Sequence, residues 1–85
     1  MDRDTARHEY RLKAWVCPEY TRDPAVVDQY LAFAKAKIEA RFAHGLFHDG
    51  TTIYFNEKWW WGTTNPITLE TELTVIVVGY VQEER

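Results

Sequence analysis

The sequence predicts an α+β domain in which one long amphipathic helix packs on a three-stranded antiparallel sheet, with the element order β-α-β-β. Three observations support this fold class: an alternating segment at the start, a capped helical segment in the middle, and two β-rich segments at the end. A chain of 85 residues has room for one core. We therefore expect a single domain over residues 1–85, with flexible ends at 1–7 and 83–85.

The first strand is predicted from His8 to Cys17, because apolar and polar residues alternate there with the period of a half-buried strand. Pro18, which lacks a backbone N–H, follows directly and ends it. The residues expected on the core side are Tyr10, Leu12, Ala14 and Val16, and those expected on the other side are Arg11, Lys13 and Trp15.

The helix is predicted to begin at Asp23-Pro24, an N-cap followed by proline at the first helical position. From Ala25 to His44 the composition favours helix, and Gly45 suits a left-handed residue that ends it. One stripe carries apolar residues at spacings of three or four, namely Val27, Leu31, Ala34, Ile38 and Phe42.

The second strand is predicted over 51–61 and the third over 67–82, joined by a loop at 62–66. A simple hairpin across that loop sets Trp61 opposite Ile67, Trp59 opposite Leu69, and Lys58 opposite Glu70. The third strand is apolar on both faces near its end, as a central strand is. We therefore predict the strand order 2-3-1, with the third strand antiparallel to both neighbours.

A third strand of this length spans about 50 Å, whereas the helix spans about 30 Å. The Trp-rich end of the hairpin is then expected to protrude beyond the helix and to be buried against another chain or a ligand. In the alternative interpretation, sheet twist curls the tip back over the end of the helix, and these tryptophans belong to the core.

A second apolar surface is predicted on the side of the sheet away from the helix, where the end of the third strand places three apolar side chains. The alternative is a set of scattered apolar surface residues, which are common. The full set of predicted interface residues is Trp15, Tyr54, Trp59, Trp60, Trp61, Ile67, Leu69, Ile76, Val78 and Tyr80.

Candidate groups for chemistry are few. His44 and His48 lie four residues apart and are followed by Asp49, but Gly45 interrupts the helix that would align them as metal ligands. Glu57 faces the helix side and would suit acid/base chemistry if it were buried, although a carboxylate in this position more often pairs with Arg or Lys. The sequence therefore predicts no catalytic, cofactor or metal site and no enzymatic activity.

The charge balance argues against nucleic acid as the main partner, since the net charge is -3 and the pI is about 5.5. One predicted face does interleave basic and aromatic side chains, namely Arg11, Lys13, Trp15, Tyr54, Lys58 and Trp60, but Glu70 and Glu72 are expected beside them. The chain has no apolar run of membrane-spanning length and begins without an apolar signal segment. Its single cysteine, Cys17, suits a reducing cytoplasm.

The β-α-β-β order, with its long helix and dominant last strand, resembles the topology of dodecins, which are small oligomeric flavin-binding proteins. From the residues themselves we predict a non-enzymatic protein that self-associates or docks on a partner protein, as small assembly subunits and phage structural or host-inhibitor proteins do. The alternative is a binding module for a planar ligand, such as a flavin or nucleotide stacked on Trp, with a dodecin-like assembly supplying the walls of the site.

Overall fold

A computed structural model describes residues 7–43 and 52–81 of the chain. A central strand lies between two others and runs antiparallel to both, and one helix packs on the sheet. The predicted α+β fold and strand order are therefore confirmed. The elements are β1 (Arg7–Val16), a short 3-10 turn (Pro18–Tyr20), α1 (Pro24–Ala43), β2 (Ile53–Thr64) and β3 (Thr71–Val81), in the sheet order β1-β3-β2.

The expected flexible ends, 1–7 and 83–85, lie outside the described residues except for Arg7, which begins β1. Strand β1 alternates between exposed and more buried positions along its whole length, as its sequence predicts.

The helix begins where its sequence predicts. Asp23 caps it, because the backbone N–H of Ala25 donates to Asp23 Oδ1 at 2.9 Å and the N–H of Val27 donates to the Asp23 carbonyl. All members of the predicted apolar stripe, Val27, Leu31, Ala34, Ile38 and Phe42, are buried.

The core lies between α1 and the inner face of the sheet, by which we mean the face that the helix covers. On β3 the inner side chains Leu73, Val75 and Val77 have no exposed surface. The helix packs mainly on β3 and β1 and makes fewer contacts with β2. The inner side of β2 is consequently only partly covered.

The predicted pairing of β2 with β3 is wrong by six residues along β3. Trp59 lies opposite Val75 and Trp61 lies opposite Leu73, where the sequence placed Leu69 and Ile67. Strand β2 continues to Thr64, so the loop comprises residues 65–70 rather than 62–66. Because the shift is an even number of residues, the side chains of 53–61 and 71–81 still point to the predicted faces.

Asn65 is the physical reason for this difference. Its Oδ1 accepts hydrogen bonds from the backbone N–H groups of Ile67 and Thr68, at 2.8 and 3.1 Å, and its carbonyl accepts the N–H of Leu69 at 2.7 Å. The Asn65 N–H donates to the carbonyl of Glu70 at 2.8 Å and closes the turn. Ile67 and Leu69 therefore lie in a compact turn and not in a strand.

Strand β2 reaches this turn through an irregularity. The register with β3 shifts between Trp61 and Thr64, as in a β-bulge, so that one extra residue of β2 is accommodated. Beyond the shift, the hydroxyl oxygens of Thr64 and Thr71 lie 2.8 Å apart and join the two strands. A Gly-Thr-Thr segment that resembles a loop in sequence thus extends the sheet.

The protruding Trp-rich hairpin is not confirmed. β3 has 11 residues and spans about 36 Å, which is close to the roughly 30 Å of α1. β1 also pairs with β3 all the way from Tyr80 to Thr71. Trp59, Trp60 and Trp61 therefore lie within the three-stranded part of the sheet, and only the turn extends beyond it.

Candidate interaction surface

The outer face of the sheet, opposite the helix, is built by alternate residues of all three strands. The pairing places Arg11, Ile76 and Lys58 in one row across the sheet, and Lys13, Thr74 and Trp60 in the next. No described element packs on this side. Its residues are Arg7, Glu9, Arg11, Lys13 and Trp15 from β1, Glu72, Thr74, Ile76, Val78 and Tyr80 from β3, and Tyr54, Asn56, Lys58 and Trp60 from β2.

The centre of the outer face is apolar. Ile76, Val78 and Tyr80 of β3 are half-buried between the side chains of the two neighbouring strands. The ring of Tyr80 stacks on that of Tyr54, with centroids 5.7 Å apart and planes inclined by 30°. A strand that is apolar on both faces thus has the helix on one side only.

The outer face carries two exposed tryptophans, of which Trp60 lies one row of residues from Ile76 and Trp15 lies two rows away, opposite Glu72. Trp15 stands at the end of β1 and is 49% exposed, and Trp60 stands on β2 and is 46% exposed. Large side chains with this degree of exposure present broad apolar surfaces together with an N–H donor. They are the type of residue that dominates the binding energy of protein interfaces.

Basic side chains outnumber acidic ones on the outer face, although the chain as a whole is acidic. Arg11 pairs with Glu9 on its own strand, and Lys13 lies 3.6 Å from Glu72 across the strands. The predicted pair between Lys58 and Glu70 is wrong. Lys58 lies opposite Ile76 and, among residues 7–43 and 52–81, has no carboxylate within ion-pair distance.

Glu70 lies in the turn instead, where its carboxylate accepts a hydrogen bond from the hydroxyl of Thr68. The outer face therefore has less negative charge than its sequence indicated.

A shallow groove of about 350 Å³ opens on the outer face. Trp60 and Ile76 supply apolar walls, and Arg11 and Lys13 supply positive charge. Its remaining lining comes from Leu12, Glu72 and Thr74.

The ten residues predicted as an interface lie in three separate places. Six of them form part of the outer face: Trp15, Tyr54, Trp60, Ile76, Val78 and Tyr80. Trp59 and Trp61 point to the inner side of β2, where Trp61 packs against the core and Trp59 is 45% exposed. Ile67 and Leu69 are exposed in the turn.

A second cavity, of about 470 Å³, was not anticipated from the sequence. It lies where the 3-10 turn and the first turns of α1 meet the end of β1, and Trp15 lines it together with Tyr20 and Tyr30. Tyr20 is itself exposed, and so is Cys17, which also lines the cavity. The one feature of the sequence that points to this cavity is that Trp15, Cys17 and Tyr20 are close together along the chain.

The candidate chemical groups do not assemble into a site. Glu57 is exposed and pairs with Lys35 of α1, so it lacks the burial that acid/base chemistry would use. His44, His48 and Asp49 lie outside the described residues. Within the described ranges, no three His, Cys, Asp or Glu side chains come close enough to hold a metal ion.

In the part of the chain that the structure describes, no helix has the length and apolar character needed to cross a membrane. No family model matches the chain, and comparisons with curated proteins and with solved structures find no match either.

Proposed function

We propose that this protein is a non-enzymatic interaction module that docks a partner protein on the outer face of its sheet. The observation that carries the proposal is the apolar centre of β3, where Ile76, Val78 and Tyr80 are uncovered by any described element and exposed Trp60 lies beside Ile76. Burying such surface contributes about 25 cal/mol per Å².

The composition of this face supports a protein partner. Trp, Tyr and Arg are the residues most often found as binding hot spots, and all three occur here around a branched aliphatic centre. The strands hold the backbone of these residues in fixed register, so less conformational entropy is lost on binding than with loops.

The charges on the outer face indicate the kind of partner. Arg7, Arg11, Lys13 and Lys58 outnumber Glu9 and Glu72, so an acidic surface with an apolar centre is complementary. We also propose a cytoplasmic location, since the single cysteine, Cys17, is an exposed free thiol, the form that persists in a reducing compartment.

Site-specific photo-crosslinking in the cells that produce the protein tests this function. Benzoylphenylalanine in place of Trp15 should form an adduct with one partner protein of acidic surface, because Trp15 borders the outer face. The matched control replaces Phe33, which is equally exposed at 48% but belongs to the helix.

The purified partner should then bind Trp15→Ala and Val78→Ala variants about tenfold or more weakly than wild type, and Phe33→Ala with unchanged affinity. Rising salt should weaken the wild-type complex. Equal adducts at positions 15 and 33, or equal affinity of all variants, would contradict the proposal.

A second candidate function rests on the groove beside Trp60. An aromatic wall next to Arg11 and Lys13 suits a planar anionic ligand, such as a flavin mononucleotide, that stacks on the indole and places its phosphate on the basic groups. Trp fluorescence measured during titration with flavin mononucleotide tests it. Quenching should be lost in Trp60→Ala and kept in Trp59→Ala, because Trp59 has nearly the same exposure on the opposite face.

A further inference from the structure

The two edges of the sheet differ in how well they are protected from pairing with another strand. On β1, the outward side chains Arg7, Glu9, Arg11 and Lys13 are charged, and the helix covers much of the inner side. Charged side chains along an edge discourage further strand pairing. β1 is therefore a protected edge.

Strand β2 lacks this protection. It has 12 residues, its only charged side chains are Glu57 and Lys58, and no described strand pairs with its free edge. Glu57 is already held by Lys35. A long edge strand with free backbone N–H and C=O groups and exposed apolar side chains is a template for pairing.

Tryptophans stand on both faces of this free edge. Trp59 on the inner side is 45% exposed and Trp60 on the outer side is 46% exposed. A strand paired with this part of β2 would cover both at once and would satisfy the free backbone groups of the paired residues.

We propose that β2 pairs antiparallel with β2 of a second copy of this chain, in an isologous dimer whose two-fold axis passes beside Trp59. The proposal concerns the edge of the sheet and does not depend on the partner of the outer face. In such a dimer the two sheets join into one of six strands, and the two outer faces become continuous.

The choice of a second copy follows from the self-complementarity of β2 in one register. A two-fold axis at Glu57 or Lys58 would set like charges directly opposite each other, which is destabilising. An axis at Trp60 would leave only residues 59–61 to pair before the irregular segment between Trp61 and Thr64 is reached, and an axis beyond Trp60 would leave fewer. An axis at Asn56 would leave Trp60 outside the paired residues 53–59.

An axis at Trp59 avoids all three problems. It pairs residues 57–61 of one copy with the same residues of the other. On the outer side, Lys58 then lies opposite Trp60 of the second copy, twice by symmetry, as in a cation–π contact. On the inner side, the two copies of Trp59 lie opposite each other.

Disulfide trapping tests this register. In a Cys17→Ser/Trp59→Cys variant, the new cysteines of two copies would lie opposite each other across the seam, with Cα atoms about 4.5–5.5 Å apart. Mild oxidation should convert most of the protein to a covalent dimer. The control is Cys17→Ser/Lys37→Cys, since Lys37 is exposed on the helix.

Light scattering during size-exclusion chromatography of the full chain gives an independent measurement. Wild type should have about twice the 10.1 kDa mass of the chain. Trp60→Lys should weaken the dimer about tenfold or more, because each introduced lysine faces Lys58 of the other copy. Adding Lys58→Glu should restore the dimer, since each pair then carries opposite charges.

Circular dichroism checks that each variant keeps its fold. A monomeric wild type across a dilution series would overturn the proposal. Trapping at position 59 that is no faster than at position 37, or a failure of Lys58→Glu to rescue folded Trp60→Lys, would also overturn it.

Discussion

Gly79 sets how closely α1 approaches the sheet. A Cβ atom added at this position would lie 2.4 Å from Cγ2 of Ile38 and 3.3 Å from the ring of Phe55. Ile38 is fully buried in the middle of the helix, so it cannot move aside without disturbing the core. The absence of a side chain at residue 79 is therefore a packing requirement.

We predict that Gly79→Ala destabilises the fold by about 1–3 kcal/mol through overpacking, although Gly→Ala within a strand is ordinarily favourable. For a domain of this size the melting temperature should fall by about 4–8 °C per kcal/mol. A second change, Ile38→Leu, removes Cγ2 and should recover part of the loss.

Gly62→Ala is the matched control for Gly79→Ala. A Cβ added at Gly62 would also be close to another atom, at 2.9 Å, but that atom is Oε1 of Glu72, at the far end of a flexible side chain. Its effect should stay within about 0.5 kcal/mol. Equal destabilisation by the two variants would show that contact with Ile38 is not the cause.

At the scale of the elements, the turn between β2 and β3 holds one leucine in a backbone conformation that residues with large side chains disfavour. Leu69 has φ of 66°, in the left-handed region, and it is exposed. The hydrogen bonds that Oδ1 and the carbonyl of Asn65 accept from the backbone N–H groups of the turn impose this conformation. For a residue with a large side chain it costs about 1–2 kcal/mol.

We predict that Leu69→Asn stabilises the fold by about 1 kcal/mol, because asparagine tolerates the left-handed conformation and little buried contact is lost. Chemical denaturation measures the change. Ile67→Asn is the control, since Ile67 is exposed in the same turn without a positive φ. No gain for Leu69→Asn relative to Ile67→Asn would contradict this account.

The helix and this turn show which parts of the fold could be predicted from the sequence and which could not. Asp23-Pro24 and the apolar stripe are local signals, and they correctly predicted where α1 begins and which of its residues are buried, whereas the predicted end at Gly45 lies outside the described residues. Ile67 and Leu69 alternate as strand residues do, but the two hydrogen bonds that Oδ1 of Asn65 accepts outweigh that pattern. A register depends on such turn chemistry and on contacts between distant residues, which periodicity does not report.

At the scale of the whole molecule, the two faces of one sheet differ in what covers them. The helix buries the inner face and forms the core, whereas the outer face is uncovered by any described element. The alternation of side chains along β1 and β3 correctly predicted which of their residues lie on each face. The six-residue error in the pairing of β2 with β3 did not change these faces, because six is an even number. The position of the groove, and which of the predicted interface residues lie together, could be found only from the observed pairing of β2 with β3.

Val77 and Val78 allow the core and the proposed docking surface to be tested separately, because they are identical side chains next to each other on β3. Val77 points inward and has no exposed surface, and Val78 points outward and is half-buried. Val77→Ala removes fully buried methyl groups and leaves a cavity, so it should cost about 2–3 kcal/mol of stability.

Val78→Ala removes the same groups from a partly solvated site and should cost about 1 kcal/mol. Val78→Ala should weaken partner binding more than Val77→Ala does, because Val78 belongs to the proposed docking surface and Val77 does not. Both variants are compared by thermal denaturation and by partner binding at one protein concentration. Val77→Ala should lose more stability, and Val78→Ala should lose more affinity for the partner. If Val77→Ala weakened binding of folded protein as much as Val78→Ala, the outer face would not be the surface that binds.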